Sequence, residues 1–111
     1  MYRIRKDDLS SQPVRDLIAL HLSDMHANTP PEHVFALDLS GLQAPEVTVW
    51  SIWMEDNIAA IGALKRLGTE LAEVKSMRTH PNFLRQGAAK ALLDHMIAEA
   101  RRFGIQLLCL E

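Results

Sequence analysis

Apolar positions recur with two different periods along the chain, and the shorter period predicts strands. Residues 2–5 alternate apolar and charged side chains, as a half-buried strand does. Val47–Met54 is rich in Val, Trp, Ile and Thr, and turn-forming residues 55–57 separate it from a second apolar run, residues 58–67. These two runs predict a hairpin, and Leu71–Thr79 predicts the strand that follows.

The longer period predicts the helices. Pro is tolerated only in the first helical turn, so the segment Ser-Ser-Gln-Pro at residues 10–13 marks a helix start. Apolar residues at helical spacing then predict an amphipathic helix over Gln12–Met25, and a short second helix is predicted over residues 32–37. Residues 86–103 predict a long helix that ends at Gly104. Its predicted apolar face consists of Ala89, Leu92, Leu93, Met96, Ile97 and Ala100.

Together these elements predict one α+β domain over residues 1–111 in the order β-α-α-β-β-β-α-β. Residues 105–110 are almost all apolar, which favours a last strand covered on both faces. Gly62, inside a strand, indicates a bulge or a close backbone approach. We expect a mixed sheet between two helical layers, with an antiparallel meander in the middle and a parallel crossover at the end.

Composition limits the class of protein. The chain has 111 residues, 48% apolar and 23% charged, which suits one globular domain. The formal net charge of -2 is spread along the chain, so we expect neither a nucleic-acid nor a membrane partner. No signal-peptide pattern and no apolar run of about 20 residues occurs, which predicts a cytoplasmic protein. The one cysteine, Cys109, is predicted to be a small buried hydrophobe.

The candidate chemistry lies where a loop gives way to the long helix. A helix start leaves backbone N–H groups unpaired and carries partial positive charge. Gly87, Ala88 and Ala89 are small enough to let an anion approach those N–H groups, and Arg85 and Lys90 add formal charge. We interpret this segment as a phosphate cradle for the pyrophosphate of coenzyme A. The alternative is an ordinary helix start with small residues for packing.

These residues and the element order resemble the GNAT family of acetyl-CoA-dependent N-acetyltransferases. The family motif Gln/Arg-x-x-Gly-x-Gly/Ala aligns with Leu-Arg-Gln-Gly-Ala-Ala at residues 84–89, and residues 73–81 also fit the family pattern. Leu84 stands where the family has Gln or Arg, and Arg85 is a candidate substitute. Family members usually continue with a further helix and strands, which often supply a tyrosine as general acid. We therefore expect this chain to be truncated after the fifth strand.

The resemblance implies roles for individual residues. The acetyl-CoA contacts would come from Met77, Arg78, Thr79, Arg85, Gln86, Gly87, Ala88, Ala89 and Lys90, largely through backbone groups. Glu73 would be the general base, and its alternative is a surface carboxylate paired with Lys75 or Arg78. Lys75 lies on the same strand face unless a bulge separates the two, and its charge would lower the pKa of Glu73.

The acceptor would bind near the first helical region. Five polar residues there suit a polar or cationic amine: Asp24, His26, Glu32, His33 and Asp38. The five histidines of the chain match no compact zinc spacing, so no metal site is expected.

The predicted function is acetyl transfer from acetyl-CoA to a primary amine of a small molecule or peptide, by direct attack in a ternary complex. The alternative is a catalytically incomplete module of the same fold that binds coenzyme A or assembles subunits. An apolar last strand can pair with a second copy, so a homodimer is one predicted assembly.

Overall fold

A five-stranded sheet with helices on both faces forms the part of the chain that the structure describes. The computed structural model describes residues 2–25 and 40–110, with side chains described for residues 2–21 and 40–110. The strands are β1 (Tyr2–Lys6), β2 (Val47–Met54), β3 (Asn57–Arg66), β4 (Leu71–Thr79) and β5 (Leu107–Leu110), and the helices are α1 (Gln12–Met25) and α2 (Ala88–Arg102). A single 3-10 turn, Pro81–Phe83, precedes α2. The second helix predicted over residues 32–37 lies outside the described residues.

The strands lie in chain order, β1-β2-β3-β4-β5. The first four strands pair with one another in antiparallel fashion, and β5 runs parallel to β4. The predicted meander and the predicted parallel last pair are therefore confirmed. No helix among the described residues is long and apolar enough to cross a membrane.

The two helices bury separate apolar clusters against opposite faces of the sheet. On one face, Leu17 and Ile18 of α1 belong to a buried cluster with Ile61 of β3. On the other, Leu92 and Met96 of α2 lie in a second buried cluster. Each large side chain buried in this way contributes about 1.5–3 kcal/mol to stability. The predicted three-layer arrangement is confirmed.

A buried carboxylate fixes the passage from β1 to α1. The Asp7 side chain is 2% exposed and accepts hydrogen bonds from the Leu9 amide at 2.8 Å and the Ser51 hydroxyl at 2.7 Å. Leu9 adopts a left-handed backbone conformation with φ 65°, and its carbonyl accepts a 2.7 Å bond from Arg15 of α1. These bonds hold the turn in place, and its apolar side chain, Leu9, is buried.

Helix α2 begins two residues later than the sequence predicted. Gly87 is the N-cap with φ 84°, a left-handed conformation that favours glycine, so the helix starts at Ala88. This start turns Ala88 inward, where it is buried, and leaves Ala89 exposed. The prediction that Ala89 belongs to the apolar face is wrong for that reason. The predicted end is confirmed, since Gly104 follows the helix with φ 83°.

The prediction of a last strand covered on both faces is wrong. Strand β5 pairs only with β4 among the described strands, and its side chains at Leu107 and Leu110 are 62% and 71% exposed. Cys109 is exposed as well, so the prediction of a buried cysteine is also wrong. The physical reason is position: an edge strand of this sheet has few neighbours, whatever its composition.

Candidate functional site

A bulge in β4 lies at the centre of the candidate site. Lys75 pairs with Ala63 of β3 and Arg78 pairs with Ile61, so Ser76 and Met77 both oppose the single residue Gly62. Ser76 adopts φ 57°, which lets β4 accommodate the additional residue. The bulge predicted from Gly62 is confirmed.

Gly62 is required at this position because its neighbours leave no room for a side chain. A Cβ atom on Gly62 would contact the sulfur of Met77 and lie 2.9 Å from the sulfur of Met96 on α2. The Met77 side chain of the bulge therefore packs directly over the glycine. The bulge and the α2 core depend on each other through this contact.

A cavity of about 550 Å³ borders the bulge. Seven of the described residues line it: His21, Val74, Lys75, Ser76, Met77, Leu93 and Leu110. His21 belongs to α1 and Leu93 to α2, and these helices cover opposite faces of the sheet. The cavity therefore reaches the edge of β4 from both faces.

The N-terminus of α2 is open. The first amide bonded within the helix is that of Ala91, which donates to the Gly87 carbonyl at 3.0 Å. The N–H groups of Ala88, Ala89 and Lys90 precede it and have no acceptor within the helix. Gly87 provides no side-chain cap, and no described atom lies within 4 Å of the place where its Cβ would be. These N–H groups are thus available to an anion.

The loop before α2 is held by one bond from a distant strand and by two local bonds. The Tyr2 hydroxyl of β1 donates a 2.8 Å hydrogen bond to the Gln86 carbonyl. The Gln86 side chain donates in turn to the Asn82 carbonyl at 3.1 Å, and the Asn82 amide donates to Nδ1 of His80 at 3.0 Å. Sequence reasoning assigned Tyr2 only to the first strand, and no local pattern indicates a contact across 84 positions.

The predicted cations near the helix start differ in their surroundings. Arg85 is exposed, with φ 61° in the left-handed region. The Lys90 ammonium lies 2.8 Å from the Asp94 carboxylate on the same exposed helix face, and this hydrogen bond raises the pKa of Lys90. Lys90 therefore remains charged, but Asp94 offsets part of its field.

Glu73 and Lys75 lie on one face of β4, because the bulge begins only after Lys75. Both are half-buried, and Glu73 is opposite Lys65 on β3 and Cys109 on β5. Glu73 is four residues before Met77, roughly 13 Å along an extended strand. Of the predicted site residues, Met77 lines the cavity, and so does Lys75. The lining does not include Glu73, Arg78 or Thr79.

His21 is the residue that sequence reasoning did not connect with the site. His21 follows the buried Leu17 and Ile18 at helical spacing, a pattern that can be seen in the sequence, and the structure places His21 at the cavity. The predicted acceptor residues have side chains outside the described part of the chain: Asp24, His26, Glu32, His33 and Asp38. Among the residues with described positions, no group of three or more His, Cys, Asp or Glu side chains could hold a metal ion.

The order and pairing of the elements agree with the family resemblance stated from the sequence, and the comparisons with known proteins show the family. The model of the acetyltransferase (GNAT) family matches residues 14–111. The chain therefore belongs to the GNAT family of acetyltransferases.

Two bacterial relatives cover nearly the whole chain. It is 46% identical over 108 residues to the uncharacterized N-acetyltransferase YsnE of Bacillus subtilis (strain 168), covering 97% of this chain and 72% of that protein. It is 44% identical over 111 residues to the uncharacterized N-acetyltransferase YedL of Escherichia coli (strain K12), covering 100% of this chain and 70% of that protein.

Solved structures share the fold at low sequence identity. A predicted acetyltransferase from Clostridium acetobutylicum, crystallised with acetyl-CoA, aligns with a TM-score of 0.74 at 18% identity over 100% of this chain and 80% of its own. A ribosomal-protein-alanine N-acetyltransferase from Brucella melitensis biovar Abortus 2308 aligns with a TM-score of 0.78 at 18% identity and the same coverage.

Proposed function

We propose that this chain transfers the acetyl group of acetyl-CoA to a primary amine. The observation that carries the proposal is the open N-terminus of α2 at Gly87, on the same helix that lines the β4 cavity through Leu93. A pyrophosphate bound at the first turn of α2 and a thioester bound at the bulge would be two parts of one acetyl-CoA molecule. The crystal structure of a fold neighbour with acetyl-CoA supports acetyl-CoA as the substrate.

Binding of the substrate would use mainly backbone groups. The N–H groups from Arg85 to Lys90 would hold the pyrophosphate, with Arg85 as the adjacent cation. Charge-assisted hydrogen bonds of this type contribute roughly 1.5–3 kcal/mol each. Backbone groups of Met77 and Thr79 would hold the pantetheine arm and the acetyl carbonyl, with Arg78 between them.

The transfer is a direct displacement at the thioester. The neutral amine nitrogen attacks the carbonyl carbon, a C–N bond forms, and the C–S bond breaks. The nitrogen loses one proton to a base and the departing thiolate gains one, which gives the N-acetylated amine and free coenzyme A. Glu73 is the proposed base. Its separation from Met77 requires that a water molecule relay the proton.

A second candidate is a module that binds coenzyme A and assembles subunits without turnover. The exposed Leu107 and Leu110 on the edge strand β5 favour it, because an apolar strand edge can pair with another chain. Release of free thiol from acetyl-CoA in the presence of an amine panel separates the two functions, since only the enzyme produces it.

The cradle is tested by Gly87→Glu, measured as coenzyme A affinity by titration calorimetry. The substitution places bulk and negative charge among the α2 N–H groups, and we expect affinity to fall about a hundredfold or more, the equivalent of about 3 kcal/mol. Gly104→Glu is a matched control, because Gly104 has the same left-handed backbone and equally open surroundings at the other end of α2. Unchanged affinity in a folded Gly87→Glu variant would contradict the proposal.

A further inference from the structure

Lys75 occupies an unusual electrostatic position. Its side chain is half-buried at the cavity that borders the bulge, and it forms no ion pair or hydrogen bond with another described residue. A partly desolvated ammonium without a counter-ion raises the free energy of the folded state. An anionic group in the cavity would remove that cost.

The described residues that line the cavity supply no such anion. Of the seven described residues that line the cavity, Lys75 and His21 are the titratable ones, and both are basic. The nearest carboxylate along β4 is Glu73, which is opposite Lys65 on β3. On this face of the sheet two lysines therefore flank one glutamate.

Apart from Ser76, the other described residues of the lining are apolar. Val74, Met77, Leu93 and Leu110 together present hydrocarbon and thioether surface to the cavity. A ligand that satisfies the whole lining would combine one negative charge with an apolar body of modest size. The volume of about 550 Å³ suits a small molecule of that kind.

We propose that the acceptor is an amine that carries a carboxylate beside its amino group and an apolar side chain, as an α-amino acid does, and that Lys75 binds the carboxylate. This inference rests on the proposed function, which places the thioester carbonyl at Met77, two residues from Lys75. A carboxylate bonded to Lys75 would leave the amino group of the same molecule near that carbonyl. The Lys75 charge would also favour the neutral amine, which is the form that attacks.

The test compares amino acids with the amines that remain after decarboxylation. Thiol release from acetyl-CoA is measured with leucine against 3-methylbutylamine, with phenylalanine against phenethylamine, and with spermidine as a polycation. We expect the wild-type chain to prefer each amino acid in kcat/KM. Lys75→Met should lower kcat/KM for the amino acids about ten- to hundredfold more than for the decarboxylated amines. Lys75→Arg should retain much of the preference.

Lys65→Met is the matched control, because Lys65 lies on the neighbouring strand and is not among the cavity-lining residues. It should leave the preference unchanged. An equal loss for both members of a pair in Lys75→Met would overturn the inference, and so would a wild-type preference for the decarboxylated amines or spermidine.

A second readout does not depend on turnover. With coenzyme A present, N-acetyl-leucine should raise the melting temperature of the wild-type chain more than N-acetyl-3-methylbutylamine does, and Lys75→Met should abolish that difference. The absence of a difference in the wild type would also overturn the inference. Failure of the proposed function would instead appear as the absence of both coenzyme A binding and thiol release with every amine.

Discussion

At the scale of single residues, the charges around the first turn of α2 decide how strongly it attracts an anion. The unpaired N–H groups and Arg85 favour a phosphate there, whereas the Asp94 carboxylate lies on the same face and pairs with Lys90 at 2.8 Å. Both partners are well exposed, with side-chain exposures of 82% for Lys90 and 61% for Asp94. The pair adds little stability, but it competes with a bound phosphate for the Lys90 charge.

Asp94→Asn should therefore tighten coenzyme A binding. The substitution removes one negative charge near the cradle and frees Lys90. Because the pair is exposed, we expect coenzyme A affinity to rise by about two- to fivefold. Titration calorimetry at low and high salt measures the affinity, and the gain should diminish as salt screens the charges. Glu99→Gln makes the same change near the other end of α2, where Glu99 pairs with Arg102, and should have no such effect. A weaker coenzyme A affinity in Asp94→Asn would count against a phosphate site to which the Lys90 charge contributes.

At the scale of elements, the β4 bulge depends on a glycine in the neighbouring strand. Met77 packs over Gly62, and the sulfur of Met96 on α2 lies 2.9 Å from the place where a Cβ of Gly62 would be. The bulge cannot move without displacing part of the α2 core, and Met96 is fully buried. The backbone at Ser76 and Met77 is thereby held in place before any substrate binds.

Gly62→Ala should destabilise the fold and weaken substrate binding together. The added methyl group overpacks the contact with both thioethers, at a cost of about 1–3 kcal/mol, and displaces Met77. Urea unfolding measures the first effect and coenzyme A affinity the second. Gly68→Ala provides the comparison, because nothing lies within 4 Å of that position. A Gly62→Ala variant as stable as Gly68→Ala would show that the bulge tolerates displacement.

Local patterns in the sequence predicted the elements better than the contacts between them. Helix α1 was predicted to the residue, since Pro13 marks its first turn and the apolar spacing continues to Met25. The bulge was predicted from Gly62, but its location at Ser76 and Met77 depends on strand register, which no single strand encodes. The exposure of β5 was missed because an apolar run does not reveal how many neighbours its strand will have.

For the candidate site, too, the sequence predicted local features better than contacts between distant residues. The small residues at the start of α2 indicated the cradle, and the structure shows that helix end to be open at Gly87. The exposure of Ala89, the Lys90 pairing with Asp94, and the bond from Tyr2 to Gln86 could not be predicted, because each depends on how the loop closes in three dimensions. The roles assigned to Glu73 and to the cofactor-binding residues remain predictions.

At the scale of the whole molecule, the sheet separates two apolar clusters that share no buried residue. Helix α1 covers one face and α2 the other, so most of the sheet is closed on both sides. The cavity at the β4 bulge is lined from both faces, by His21 of α1 and Leu93 of α2. The bulge in β4 therefore borders a cavity that residues of both helical layers line.

A cavity bordered from both faces has a kinetic consequence. If each substrate reaches the bulge from its own side, neither blocks the path of the other, and they can be added in either order. Initial velocities measured at several fixed concentrations of the second substrate should then give double-reciprocal lines that intersect. A dead-end analogue of either substrate should inhibit competitively against that substrate and noncompetitively against the other, whereas a fixed order would make one of these patterns uncompetitive. Parallel lines would mean instead that the first product must depart before the second substrate enters, and the two-sided opening at β4 would then have no role in turnover.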